Sequence, residues 1–167
     1  MPLYNYHHAT IFVPPDIASP LEVYRQAWDP VMAEQIAAHV TLIYPQEVSG
    51  AELLTEKLRN ICSATTSFRL KLGNLTYSGS PEGGVYVAVD DTEGACGRLR
   101  TQVLRSPAEI PLHVTLVHPR TSSRGRELWD QANLQLPQSE FRVKEVAITG
   151  FDGAKWATLH RFELKAI

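Results

Sequence analysis

Cysteine is scarce in this 167-residue chain: only Cys62 and Cys96 occur, far apart and without a C-x-x-C pairing, so neither a redox dithiol nor a zinc knuckle is supported. Both are expected as buried thiols rather than a disulfide, because a reducing compartment is the one inferred here. No apolar run approaches the roughly 18 residues a membrane-spanning helix needs. The opening residues MPLYNYHHAT have neither the basic start nor the apolar core of a signal peptide, so no membrane association is expected and the cytoplasm is the expected location. Excess positive charge is missing too: 16 Lys and Arg against 18 Asp and Glu leave a net charge of −2, too little to track a long run of phosphates. Long nucleic acid is therefore not an expected partner, whereas one small anion can be held by one or two histidines and a few backbone N–H groups. Carboxylate-rich clusters of the two-metal kind are absent as well, and the reading implies no metal and no cofactor.

What is present suits one folded domain spanning 1–167, expected as a monomer: hydrophobic residues at 44% and charged residues at 20% match an ordinary globular chain. Tyr4 to Val13 reads as a strand stopped by Pro14-Pro15, and Leu21 to Trp28 as a short helix entered through Pro20. Val40 to Tyr44 reads as a strand ended by Pro45, and Ser49-Gly50-Ala51-Glu52 as a capping box before a helix with apolar positions Leu53, Leu54, Leu58 and Ile61. Phe68 to Leu75 alternates as a half-buried strand, and Val85 to Val89 reads as a more buried one. A helix capped by Asp91 or Thr92 is expected to run to about Leu104. Val114 to Val117 is a further strand, and Arg126 to Ala132 looks helical. Phe141 to Thr149 and Trp156 to Leu164 form two strands joined around Asp152-Gly153. About seven strands and four helices in mixed order indicate an α+β fold with mostly antiparallel sheet.

One segment recurs. His39-Val40-Thr41-Leu42-Ile43-Tyr44-Pro45 and His113-Val114-Thr115-Leu116-Val117-His118-Pro119 share His, Val, Thr, Leu and Pro. Each begins a strand, ends it with proline and precedes a helix, as expected of a duplicated, lobe-sized unit. Because side chains alternate along a strand, His39 and Thr41 share one face, as do His113 and Thr115, with roughly 7 Å between each imidazole and its hydroxyl. Two such lobes packed about an approximate twofold axis turn both pairs into one central cleft.

Opening a phosphodiester needs a base to activate water, an acid to protonate the leaving oxygen, and donors for the nonbridging oxygens. Two histidines and two threonines supply all three, and in-line displacement wants base and acid on opposite sides of phosphorus, one from each lobe. With both imidazoles near the free value of about 6.5, the rate is expected to be bell-shaped near neutral pH.

Paired H-x-T motifs, each followed by Leu, in a chain of this size resemble the signature of the 2H phosphoesterases, the superfamily of bacterial and archaeal 2′-5′ RNA ligases and eukaryotic cyclic phosphodiesterases. The resemblance extends to the opening strand with its proline-rich end, Asp29-Pro30 ahead of the first motif, and a closing aromatic-rich strand. It implies a bilobal α+β fold with helices outside a central cleft, and metal-independent hydrolysis of nucleoside or RNA 2′,3′-cyclic phosphates or 2′-5′ phosphodiester bonds. In that reading His39 and His113 are catalytic, and Thr41 and Thr115 bind phosphate. A small nucleotide or an RNA end carrying a cyclic phosphate is the implied partner. The alternatives are 2′-5′ RNA ligation and a catalytically weak module that binds nucleotides or RNA ends. The chain departs from the family where His118-Pro119-Arg120 follows the second motif in place of small or basic residues.

Four further residues are candidate substrate contacts: Tyr44 and His118, which occupy matching places after the two motifs, Arg120 just beyond, and Tyr86. Tyr44, Tyr86 and Trp156 also suit core packing, or stacking on a nucleobase. His8-Ala9-Thr10 is a third H-x-T match, but its continuation differs, so a structural or cleft-wall role is expected for it. Residues Thr121 to Arg126 are read as a mobile rim of the cleft.

Overall fold

The computed structural model describes residues 4–79, 83–131, 136 and 138–167. In chain order they form β1 (Tyr6–Phe12), α1 (Pro15–Trp28), α2 (Pro30–Gln35), β2 (His39–Ile43), α3 (Ala51–Ala64), β3 (Phe68–Tyr77), β4 (Val85–Asp90), α4 (Ala95–Val103), β5 (His113–Val117), α5 (Gly125–Asp130), β6 (Glu140–Val143), β7 (Glu145–Phe151) and β8 (Trp156–Glu163). The strands make one sheet in the order β6-β3-β4-β5-β2-β1-β7-β8, and every neighbouring pair is antiparallel. The mixed, antiparallel α+β class expected from the residues is the one observed.

The two motif strands β2 and β5 lie side by side at the middle of the sheet, with Val40 opposite Val114. Alternation does the rest. Val40, Leu42, Val114 and Leu116 are fully buried, while His39, Thr41, His113 and Thr115 on the other face are only half-buried. The buried face continues through Ala9, Ile11, Val85, Val87, Val146 and Ile148 into a single core that also takes Leu21, Leu54, Leu58 and Leu99 from the helices.

Local chemistry explains where the elements begin and end. Helix α1 starts at Pro15 rather than near Leu21, because Pro14 accepts the first turn's N–H groups from Ile17 and Ala18. Pro20 therefore sits inside the helix and forfeits one donor instead of opening it. The six residues of α2 are too few to show periodicity; the helix exists because the Asp29 carboxylate receives the Met32 N–H. Helix α3 is preceded by Gly50 with no side-chain cap, so the capping box read at Ser49 does not form. Asp91 does cap α4, accepting from the N–H groups of Ala95 and Gly97. The end of the helix read over Arg126 to Ala132 lies partly outside the described residues, and α5 closes at Asp130.

The strand expected over Phe141 to Thr149 is two strands. The chain leaves β3 at Val143, passes Lys144 and joins β1, so β6 and β7 lie in opposite halves of the sheet. This is the eighth strand, and a run of continuous β-forming residues gives no local sign of the crossing. The β7–β8 turn forms as expected, with Gly153 at φ +104° and the Asp152 carboxylate receiving the N–H groups of Ala154 and Lys155. Cys62 and Cys96 are buried free thiols.

Candidate active site

Continuing the Val40–Val114 pairing one residue either way sets His39 opposite Thr115 and Thr41 opposite His113. Each imidazole thus has the other motif's hydroxyl as its cross-strand neighbour. The two rings are oriented identically. His39 Nδ1–H donates to the carbonyl of Ala37 at 2.8 Å, and His113 Nδ1–H to that of Pro111, also at 2.8 Å. A carbonyl only accepts, so in both neutral rings the proton sits on Nδ1 and Nε2 carries the lone pair. Each ring also has an aromatic neighbour from the adjoining strand: Phe12 stands edge-on to His39 at 6.3 Å, and Tyr86 edge-on to His113 at 4.8 Å.

Burial pushes the His39 imidazole down to about 4, against its hydrogen bond to Ala37, which favours the charged form; the Arg25 guanidinium and His113 add to the depression. For this residue the shift is away from the ordinary value near 6.5, with desolvation its largest cause. Neither the Thr41 nor the Thr115 hydroxyl has a hydrogen-bond partner among the described residues, which leaves both available on the open face.

Immediately after each motif strand, a carboxylate holds the backbone. The Tyr44 N–H donates to Glu47 Oε2 at 3.0 Å, and the His118 N–H to Asp29 Oδ2 at 2.8 Å. Tyr44 is half-buried, its ring edge-on to His8, and burial raises its hydroxyl to about 12, so it remains a donor. β2 ends at Ile43, so Tyr44 does not continue the strand's alternation. His118 differs from the motif histidines: its Nδ1 accepts the Arg120 N–H at 3.0 Å, so its neutral form carries the proton on Nε2. Burial, then Arg120, lower its affinity for a second proton. Arg120 is exposed.

The segment beyond is tied rather than loose. The Thr121 hydroxyl donates to Asp29 Oδ2 at 2.7 Å, the Ser122 hydroxyl to the Trp28 carbonyl at 2.6 Å, and the Arg124 guanidinium lies over the Trp28 ring at 4.1 Å. The third H-x-T match is committed to packing. Thr10 is fully buried with its hydroxyl 2.9 Å from that of Thr149, and His8 stacks on Trp156. Among the described residues, no three His, Cys, Asp or Glu side chains gather as metal ligands. Of two surface hollows of about 730 and 410 Å³, the larger is lined in part by Phe12 and Ala37, the neighbours of His39; His39, Thr41, His113 and Thr115 line neither and share the half-buried face of the two motif strands.

Residues missed by motif reading are Arg25 and Arg100, whose guanidinium groups are buried against the motif strands. Their only sign in the sequence is a charged residue at an otherwise inward helical position.

One family model, described as the 2′-5′ RNA ligase superfamily, matches residues 13–155, a span that contains both H-x-T strands. The chain belongs to that superfamily. Among solved structures, E. coli LigT complexed with NADP+ is similar over 97% of this chain and 98% of its own, with a TM-score of 0.67 and 18% identity. A crystal structure titled phosphoesterase covers 96% and 98% at TM-score 0.65 and 19% identity, and the protein TT0787 of Thermus thermophilus covers the same shares at 0.62 and 13%. At these identities the likeness is one of fold. E. coli LigT has also been crystallised with ATP and with 3′-AMP. No curated protein matches the chain by sequence. Membership of the 2′-5′ RNA ligase superfamily places the chain among the 2H phosphoesterases and ligases. No described helix is long and apolar enough to cross a membrane.

Proposed function

We propose that this member of the superfamily is a metal-independent phosphoesterase that hydrolyses nucleoside or RNA 2′,3′-cyclic phosphates or 2′-5′ phosphodiester bonds. The observation that supports the reading is the matched pair of Nδ1–H···O=C bonds, which leave the lone pair of each neutral ring on Nε2, on one face of two adjoining strands. One Nε2 takes a proton from water as its oxygen bonds to phosphorus. The other, protonated, gives its proton to the ribose oxygen as the P–O bond breaks, so the products are a phosphomonoester and a free hydroxyl. The side of phosphorus from which the ribose oxygen leaves decides which histidine is the acid. Thr41 and Thr115 donate to the nonbridging oxygens, where charge accumulates. Run backward, the same groups in opposite protonation states join the two ends.

Tyr44, Tyr86, His118 and Arg120 are assigned to substrate contact. His118 Nε2–H is a fixed donor, and Arg120 supplies an exposed positive charge just beyond the second motif strand. The nucleotide-sized ligands of E. coli LigT support a substrate of that size here. The duplicated motif, with its two strands at the centre of the sheet, supports one domain built from two related halves.

The test is turnover, with EDTA present, of the four nucleoside 2′,3′-cyclic monophosphates and a 2′-5′ linked dinucleotide, products being resolved by chromatography. His39→Ala and His113→Ala should each lose about 10²–10⁴-fold in rate. A folded variant of either kind with wild-type turnover overturns the assignment. Nucleotide binding without turnover in the wild type identifies a binding module instead.

A further inference from the structure

Every joint in the sheet except one has at least four register partners; the exception is the seam between β2 and β5, with the single pair Val40–Val114. The thinnest ladder in the fold is therefore the one that separates the two histidines. Two arginine–glutamate pairs cross it, each with a buried guanidinium; the Glu47 side chain is buried as well, and that of Glu22 is 23% exposed. Arg25 of α1, 1% exposed, donates from Nε to the Thr115 carbonyl of β5 at 3.1 Å and from Nη2 to the Ile36 carbonyl, just ahead of β2, at 2.8 Å. Its Nη1 is held by both oxygens of Glu22, and Glu22 Oε1 also receives the Ala38 N–H at 2.6 Å.

Arg100 of α4 does the same at the other end. It donates from Nη1 to the Leu42 carbonyl of β2 at 2.7 Å and to Glu47 Oε2, and from Nη2 to Glu47 Oε1 and to the Ala108 carbonyl at 2.6 Å, on the approach to β5. Glu47 in turn receives the N–H groups of Tyr44 and Ala108. The Arg100 and Glu47 side chains are 9% and 8% exposed. Both pairs thus bond to backbone on the two sides of the seam, one near the start of β2 and one at its end. Planar guanidinium groups with several fixed donors are suited to that task, and a single-point ammonium is not.

We propose that Glu22–Arg25 and Glu47–Arg100 are positioning clamps that set the separation of His39 and His113 across a seam too thin to set it alone. The clamps touch backbone, not substrate, and act through the two histidines. Only the rate arm of the test below rests on the phosphoesterase reading. A desolvated ion pair adds little net stability, and an error of about 1 Å in a catalytic group can cost 10²-fold in rate.

Amide hydrogen exchange tests the clamps without any substrate. In Arg25→Met and Arg100→Met, the seam-facing amides among Val40, Thr41, Val114 and Thr115 should exchange about tenfold faster or more, while those of the β3–β4 and β1–β7 ladders keep wild-type rates. Arg25→Lys and Arg100→Lys should restore part of the protection. On a substrate the wild type turns over, kcat of the Met variants should fall about 10²-fold with a much smaller change in KM. Uniform acceleration of all amides, an unchanged seam, or wild-type kcat in a folded Met variant overturns the proposal. Should a Met variant not fold, Glu22→Gln and Glu47→Gln weaken the same clamps with every arginine–carbonyl bond retained, and the same seam-selective exchange decides. A wild type without turnover removes the enzymatic reading and leaves the exchange result to stand or fall by itself.

Discussion

The imidazole of His8 lies on the indole of Trp156, with ring centroids 4.1 Å apart and planes 19° from parallel. Tyr44 meets the same imidazole edge-on at 6.2 Å, and Phe151 covers Trp156 at 5.1 Å. His8 Nδ1 is buried without a hydrogen-bond partner. A bare lone pair costs less there than a bare N–H, so the neutral ring carries its proton on Nε2. Burial first, then His39, Arg120 and His7, push its affinity for a second proton down to about 3. The ring works as an aromatic slab. His8→Phe is expected to keep thermal stability within about 1 kcal/mol, since stacking is retained and the unpaired nitrogen removed, whereas His8→Ala should lose about 2–4 kcal/mol in chemical denaturation. Neither should approach the rate loss of His39→Ala; a comparable loss from folded His8→Phe would make His8 a third acid–base group.

Protons should destabilise the fold between pH 6.5 and 4. His39 binds a proton at about 4 in the native state and at about 6.5 in the unfolded chain, so across that interval the unfolded state holds more protons and stability rises with pH. His8 adds a term of the same sign. Denaturant unfolding at pH 7, 6, 5 and 4.5 should show a falling midpoint, and His39→Gln should flatten the slope. A wild-type midpoint independent of pH over this range would show that both rings are hydrated. The limb of the rate profile contributed by His39 in the free protein should likewise lie near 4, not near neutrality.

Asp29 is completely buried and receives three donors, the Met32 and His118 N–H groups and the Thr121 hydroxyl. It joins the start of α2 to the end of the second motif strand. Asp29→Ala leaves those donors unpaired and should cost about 2–4 kcal/mol, read by thermal or urea unfolding, with Asp29→Asn losing less. A cost under about 0.5 kcal/mol would mean that water replaces the carboxylate.

Tyr86 holds the flank of His113 with its ring edge. Tyr86→Phe preserves that contact and should leave kcat near wild type, while Tyr86→Ala frees the imidazole to rotate and should lower kcat about tenfold. If Tyr86→Phe instead raises KM strongly with kcat unchanged, the hydroxyl binds substrate and the packing is secondary.

Glu47 offers a test of acid sensitivity at the seam. Burial works to raise its pKa, but the hydrogen bonds from Arg100 and from the Tyr44 N–H outweigh that and hold it below the ordinary carboxylate value. A carboxyl depressed in the native state stabilises above its unfolded pKa, near 4.3, and loses that contribution as pH falls through the native value. Glu47→Gln should therefore narrow its stability deficit relative to wild type as pH drops below about 4. A deficit constant from pH 7 to 3 would show that the carboxylate charge is not what binds Arg100.

The motifs were legible because their signal is local. Period-two alternation in His39–Ile43 and His113–Val117 states which side chains share a face, and the repetition of polar residues at the outward positions sets that face apart from the core. The same logic misread α1, where Pro20 looks like an entrance and is an interior residue, and missed α2, whose six residues carry no period. It also gave a third H-x-T match at His8, which the packing of Trp156 and Tyr44 turns into part of the wall. Nothing between Val143 and Glu145 announces that the chain crosses from one half of the sheet to the other, since both sides of Lys144 are equally good strand.

Residue order alone determined the antiparallel α+β class, the two histidine–threonine pairs and the face on which each pair stands, because side-chain alternation follows from backbone sterics within a few residues. Only the tertiary structure decided that β2 and β5 are neighbours, that desolvation lowers the His39 pKa, and that Arg25 and Arg100 bond to backbone carbonyls at the motif strands instead of facing the solvent. Those outcomes depend on contacts between residues 53 to 90 positions apart, such as Arg100 with Glu47 and Arg25 with Thr115. Pairing at that range is set by which surfaces bury together, and a guanidinium on a helix takes its role from the carbonyls that the fold brings to it.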